Sequence, residues 1–216
     1  MSYVKAQTKD NGFVRDVSNG DVVAMGEVIG VLGTVGNGSL TAALITSFTL
    51  ISRTGPAGAY ADTVDTAANL IAALAVNGQT PNPGSTHRLR ILNTVAFVNT
   101  ITTNTGVTLS GTTAIAASSW KDFLVTLTNT TATSIAVGNT TNASAVLTGI
   151  SQASLGLITP GMTVSGVGIT GGTTVLGVNL TAGTVTLSAN ATATAALVAL
   201  TFSPTVNIAA IGGGLI

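Results

Sequence analysis

Gly106-Val107-Thr108-Leu109-Ser110-Gly111-Thr112-Thr113-Ala114-Ile115-Ala116-Ala117 holds two short β-prone runs, 106–109 and 112–117, parted by a Ser-Gly break. Val, Ile and Thr suit a pleated, half-buried surface, whereas Gly and Ser supply turns. The same unit recurs on both sides. Runs at 88–92 and 96–101 precede it, and runs at 123–128, 135–137, 143–147, 162–164, 173–178, 184–187 and 195–202 follow, each bounded by Gly, Asn or Ser. Short strands at such regular intervals predict a mainly β fold, a sandwich or a barrel, rather than βαβ units.

Towards the N-terminus, 28–35 and 43–52 read as strands around the turn Gly36-Asn37-Gly38-Ser39. One helix is expected, over about 66–76. Leu70, Ile71 and Leu74 form its apolar stripe, Asp65 or Thr66 can cap its start, and Asn77-Gly78 can close its end. Residues 79–85, with Pro81 and Pro83, read as a loop.

Composition narrows the function classes. Of 216 residues, 6% are charged, against roughly a quarter in an average soluble protein, and seven basic side chains balance seven acidic ones. That leaves no basic field for nucleic acid and no acidic tail for cations. No apolar run reaches the roughly 18 residues of a membrane helix, so no membrane partner is expected. The opening Met1-Ser2-Tyr3-Val4-Lys5-Ala6-Gln7 lacks the apolar core of a secretory signal, which predicts synthesis in a cytoplasm. With no cysteine, disulfides, thiolate chemistry and thiolate-bound zinc are all excluded. The last charged residue is Asp122. A polar surface of Thr, Ser, Asn and Gly gives little colloidal repulsion, so the chain is expected to hold much of its surface against other subunits.

The residues that could carry chemistry each have a plainer reading. Gly166-Val167-Gly168-Ile169-Thr170-Gly171 matches the spacing of a dinucleotide loop, but a strand-like Gly172-Thr173-Thr174-Val175 follows where a helix must open, so a tight turn is expected. His87 is the only histidine, which rules out a multi-histidine metal site, and it reads as an exposed loop-end residue. A triad would have to join it to Asp62, Asp65 or Asp122, yet no nucleophile elbow is present. Glu27 is the only glutamate, so a pair of catalytic carboxylates is poorly supplied. Asp62 and Asp65 read as helix-start charges, Lys121 and Asp122 as a strand-end ion pair, and Trp120 as core. Asn-x-Ser/Thr triplets at Asn37, Asn129, Asn139, Asn142, Asn179 and Asn190 follow from the abundance of those residues. No enzyme, and no catalytic, cofactor or metal site, is expected.

Two stretches carry a resemblance. Ala61-Asp62-Thr63-Val64-Asp65-Thr66-Ala67-Ala68-Asn69-Leu70-Ile71-Ala72-Ala73-Leu74, then Arg88-Leu89-Arg90-Ile91-Leu92-Asn93, then Asn104-Thr105-Gly106-Val107-Thr108-Leu109-Ser110-Gly111 resemble head decoration (cement) and minor capsid proteins of tailed bacteriophages. Thr113-Ala114-Ile115-Ala116 and Trp120-Lys121-Asp122-Phe123-Leu124-Val125 continue it, so that it covers about residues 60–137. The second stretch is Pro160-Gly161-Met162-Thr163-Val164-Ser165-Gly166-Val167-Gly168-Ile169 with Gly172-Thr173-Thr174-Val175 and Val185-Thr186-Leu187-Ser188. It resembles small β modules of phage tail-fibre and capsid-associated proteins. The first resemblance implies a virion protein on the capsid exterior that binds the major capsid protein and stabilises the shell as a homo-oligomer, with a trimer expected. The second implies the alternative, a tail-fibre or host-adhesion module.

Three segments are expected: a charged capsid-docking arm (1–30), a β domain with one helix (31–138 plus 204–216), and an inserted, outward-facing β module (139–203). The insertion is read from the matching patterns Thr133-Ser134-Ile135-Ala136-Val137-Gly138 and Thr205-Val206-Asn207-Ile208-Ala209-Ala210-Ile211-Gly212. Met162, Val164, Val175, Val178, Val185, Leu187, Leu197 and Val198 are its expected core.

Overall fold

The computed structural model describes residues 29–76 and 80–216, together with three short strands nearer the N-terminus. Those are β1 (Lys9–Asp10), β2 (Phe13–Arg15) and β3 (Val22–Val23), paired as an antiparallel meander. The rest of the expected docking arm up to residue 28 lies outside the described residues. Then follow β4 (Ile29–Leu32), β5 (Gly38–Leu40), α1 (Ala42–Ser47), β6 (Leu50–Arg53), β7 (Tyr60–Val64), α2 (Ala67–Val76), β8 (Thr86–Asn93), β9 (Asn99–Thr102), β10 (Val107–Ser110), β11 (Ala114–Ile115) and β12 (Ser119–Asn129). A second unit holds β13 (Ser134–Thr140), β14 (Val146–Leu147), α3 (Gln152–Leu155), β15 (Thr163–Gly166), β16 (Val175–Asn179), β17 (Thr184–Leu187) and β18 (Ala195–Ser203), after which β19 (Thr205–Leu215) ends the chain. The fold is mainly β, with short helices and an extra β unit.

The first unit winds before it folds back. β4, β6 and β8 pair in parallel, with Ile29 opposite Leu50 and Leu50 opposite Arg90. β5, β7 and β9 do the same in a second sheet, with Gly38 opposite Asp62 and Tyr60 opposite Asn99. Each coil therefore crosses from one sheet to the other, and α1 or α2 carries the first two coils back. β12 then pairs antiparallel with β8, β19 with β12, and β10 in parallel with β19, giving the order β10-β19-β12-β8-β6-β4; the second sheet runs β11-β9-β7-β5. The inward residues of both sheets and both helices meet in one core, which includes Leu40, Ile45, Ile51, Leu70, Leu89, Ile91, Phe123 and Val206. On β12 the alternation is plain: Phe123, Val125 and Leu127 point in, while Leu124 and Thr126 point out.

At one end of this core, polar groups replace apolar ones. Arg53 and Asp62 are fully buried and paired. Arg53 Nη1 also donates to the carbonyls of Leu32 (3.0 Å), Thr34 (2.8 Å) and Thr54 (2.7 Å), and Nη2 to that of Gly36. Asn99 Nδ2 donates to Asp62 Oδ2 (2.9 Å), and the Tyr60 hydroxyl to Asn93 Oδ1 (2.7 Å). The turn between β4 and β5 is thus tied to β6 by one guanidinium. Such satisfaction is what makes a buried charge tolerable.

The expected helix is α2, and its start is capped twice: Thr66 Oγ1 accepts from Asn69 N (3.2 Å), and Asp65 Oδ1 from Thr66 N (2.8 Å). Its expected Asn77-Gly78 end lies outside the described residues. Where 43–52 reads as one strand, the structure has α1 followed by β6. Thr41 Oγ1 accepts from Leu44 N (3.3 Å), Asp65 Oδ2 accepts from Ala42 N (2.9 Å), and α1 packs on α2, which together outweigh the strand preference of Ile45 and Thr46.

The second unit is two antiparallel three-stranded sheets, β13-β18-β15 and β14-β17-β16, around a core of its own that includes Leu147, Leu155, Met162, Val164, Val185, Leu187, Leu200 and Phe202. No strand of this unit joins a sheet of the first. The expected boundary at 138/139 falls inside β13, because Ser134 to Gly138 pair with Phe202 to Val198 and belong with the second unit. Leu197 is not core. The register of β13 and β18 shifts between Gly138 and Thr140, and the bulge turns Leu197 to φ +54 and leaves it 78% exposed. The loop 159–161 bonds the two units: Asn129 Nδ2 donates to Thr159 Oγ1 and the Pro160 carbonyl, both at 2.9 Å, and Thr205 Oγ1 to the Gly161 carbonyl at 3.0 Å.

Candidate interaction surface

On a strand, residues two apart share a face. Arg88, Arg90 and Leu92 therefore project together from β8, away from the core to which Leu89 and Ile91 turn. Across the ladder stand Leu124, Asp122 and Trp120 of β12, opposite Arg88, Arg90 and Leu92 in that order. Asp122 sits between the two arginines. Its Oδ1 accepts from Arg90 Nε at 2.7 Å and its Oδ2 from Arg90 Nη2 at 2.9 Å, while Arg88 Nη2 also donates to Oδ2. The bonds from Arg90 hold the Asp122 carboxyl below its ordinary value of 3.8; burial opposes them, and Arg88 adds to the lowering.

Trp120 completes the group. The Arg90 guanidinium lies 4.0 Å from the centroid of its ring, a cation–π contact, and a Cβ at Gly214 of β19 would come within 3.2 Å of the ring. Arg90 is fixed on two sides, by carboxylate and by indole. The side chain of Asp122 is 3% exposed, against 65% for Arg88 and 41% for Arg90. What the surface presents is thus two anchored cations above a sheltered acid.

The other residues weighed from sequence lie elsewhere. His87 is half-buried on β8 rather than exposed at a loop end. Burial pushes its pKa below 6.5, backbone hydrogen bonds to Phe48 and Ile45 oppose that, and Nε2 is buried without a partner. Asp62 belongs to the buried pair with Arg53 rather than to a helix start; Asp65 does serve there, and bonds from Ala42, Asn69 and Thr66 lower its carboxyl against the raising effect of burial. Lys121 does not pair with Asp122, since neighbours on a strand face opposite ways; its Nζ donates to the carbonyls of Thr112 and Ala114, both at 2.6 Å. Trp120 is on the outer face, not in the core. Gly166 ends β15, Gly168 has φ +76, and the chain turns into β16 with no helix between. Glu27 lies outside the described residues.

Among the described residues, no three His, Asp or Glu side chains are grouped to hold a metal, and no helix is long and apolar enough to cross a membrane. Two arginines held beside a buried carboxylate offer hydrogen-bond donors to an approaching acceptor. The signal of this arrangement in the sequence is Arg88-x-Arg90 within a strand, which sets two cations on one face; the third member is 34 residues away from Arg88 in the chain, and local reading does not find it. Comparison of the chain with protein-family models, curated proteins and solved structures gives no match.

Proposed function

We propose that this chain is a structural virion protein that binds and stabilises the outer surface of a phage capsid, a decoration or cement protein. One observation carries the reading: the strands that build the Arg88–Asp122–Arg90–Trp120 surface are the stretches 88–93 and 120–125 that resemble head decoration proteins. The distribution of charge also supports it. From Phe123 to Ile216 the chain has no Asp, Glu, Lys or Arg, so a long uncharged tract accompanies one charged face. A clamp between subunits needs surface and little chemistry. The partners in this reading are the major capsid protein and further copies of the chain, as a trimer, and residues 1–30 act as a docking arm.

Localisation tests it. Gold-labelled antibody or electron cryomicroscopy of particles should show density on the head lattice, and sedimentation of the purified protein at micromolar concentration should show a multimer. Density confined to the tail would replace this reading with the tail-fibre or adhesion module. The feature favouring that alternative is a set of exposed apolar side chains, Leu157, Val167, Leu176 and Leu180, in the second unit, where a receptor contact could form.

A further inference from the structure

We infer that the Arg88–Arg90–Trp120 face of the six-stranded sheet is the docking surface for a different protein, one that presents clustered carboxylates. From residue 29 on, the described residues hold four cations, Arg53, Arg88, Arg90 and Lys121, and three anions, Asp62, Asp65 and Asp122. Arg53 and Asp62 cancel inside the core, Asp65 caps α2, and Lys121 is engaged with two carbonyls. The outer sheet face is left with two arginines for one aspartate. It is a surface one charge in excess.

Geometry makes that excess usable. Arg88 spends one nitrogen on Asp122 and keeps most of its side chain in solvent, so the rest of its guanidinium edge can meet a carboxylate in the two-pronged manner that suits arginine. Asp122 and Trp120 hold Arg90 in place beforehand, so less side-chain entropy is lost when a partner arrives. Among the described residues from 29 on, the exposed face around the pair is uncharged, with Ile29 and Val31 of β4 on the same side. Arginine and tryptophan within an apolar surround are the residue types that dominate protein contacts.

Two other occupants fit less well. A nucleic acid would find a tryptophan whose ring is already occupied by Arg90 and crowded by Gly214, which leaves no free platform for a base. From residue 29 on, a second copy offers no suitable acid, since Asp62 is buried, Asp65 is a cap and Asp122 is already bound. A foreign acidic surface complements the excess positive charge.

The inference deepens the decoration reading and rests on it only for the identity of the partner. Trp120, the single tryptophan of the chain, reports on the site directly. The full chain is titrated with a glutamate-rich peptide and, in parallel, with the glutamine peptide of equal length, and Trp120 fluorescence is followed. A saturable change with the first and not the second, weakened about tenfold by Arg88→Gln and by raising salt from 50 to about 500 mM, is expected. The same response to both peptides, none to either up to millimolar concentration, or a tighter response to single-stranded DNA overturns the inference. These measurements on the unaltered chain decide it even if Arg88→Gln fails to fold. Acidic-peptide binding by a protein that antibodies do not find on particles would keep this surface and remove the capsid. Arg88→Glu protein that still loads particles fully would keep the capsid and remove this surface.

Discussion

Arg53 Nε and Asp62 Oδ2 lie 2.9 Å apart with both side chains wholly out of water. The pair joins β6 to β7, one strand from each sheet of the first unit. Arg53→Met leaves the Asp62 carboxylate buried with only Asn99, and also releases the carbonyls of Leu32, Thr34, Thr54 and Gly36. Breaking such a pair costs about 3–5 kcal/mol. Urea unfolding should put the loss in that range for Arg53→Met and lower for Asp62→Asn, which keeps hydrogen-bonding oxygen and nitrogen in place. Equal losses for the two would mean that the carbonyl bonds add nothing.

Acid should weaken the fold in two separate windows. His87 has a folded pKa below its ordinary 6.5, so the folded chain binds a proton less readily than the unfolded one, and stability falls as pH drops below 6.5. Asp122 and Asp65 are also depressed, from 3.8; their contribution is complete above that value and is lost as pH falls through the folded values. Urea midpoints at pH 7.5, 5 and 3 should decline in both steps. His87→Gln should flatten the first step and Asp122→Asn should reduce the second.

Residues 132–203 should be removable. Ser134 and Phe202 are direct partners across β13 and β18, so the second unit leaves and rejoins the first at adjacent points, and a short linker closes the gap at small entropic cost. Neither core contains a residue of the other. A chain with these residues replaced by Gly-Ser should melt cooperatively and keep the Trp120 fluorescence of the parent. Aggregation or a molten profile would show that the contacts of Asn129 and Thr205 with the loop 159–161 are essential to the first unit.

Leu197 is a bulky side chain at φ +54 with little contact to its own chain. Asparagine tolerates that backbone region far better. Leu197→Asn should raise thermal stability by about 0.5–1 kcal/mol, measured by calorimetry. A decrease would mean that the leucine makes a contact worth more than the strain.

Strand positions and α2 were legible because alternation and capping are local: Leu70, Ile71 and Leu74 sit within two turns, and the Gly-Ser breaks fall where the chain does turn. Pairing was not. Nothing near Ile29 or Leu50 says that these residues lie side by side in parallel, and the second coil needs α2 as its return, so strand spacing alone points to a sandwich or barrel and away from helical crossovers. α1 was hidden for a similar reason, since the Asp65 carboxylate that caps it comes from 23 residues further along. The surface was half legible: Arg88 and Arg90 share a parity anyone can count, whereas only the register of β8 and β12 brings Asp122 between them and sets Trp120 beneath Arg90.

The second unit begins and ends at paired residues, and this makes it portable. A segment entering and leaving through adjacent strands can be exchanged by two recombination events without changing the register of the host sheets. The first unit then acts as a fixed socket, and variation over generations can concentrate in what is plugged into it. Lineages that share β8 and β12 should differ most between residues 132 and 203.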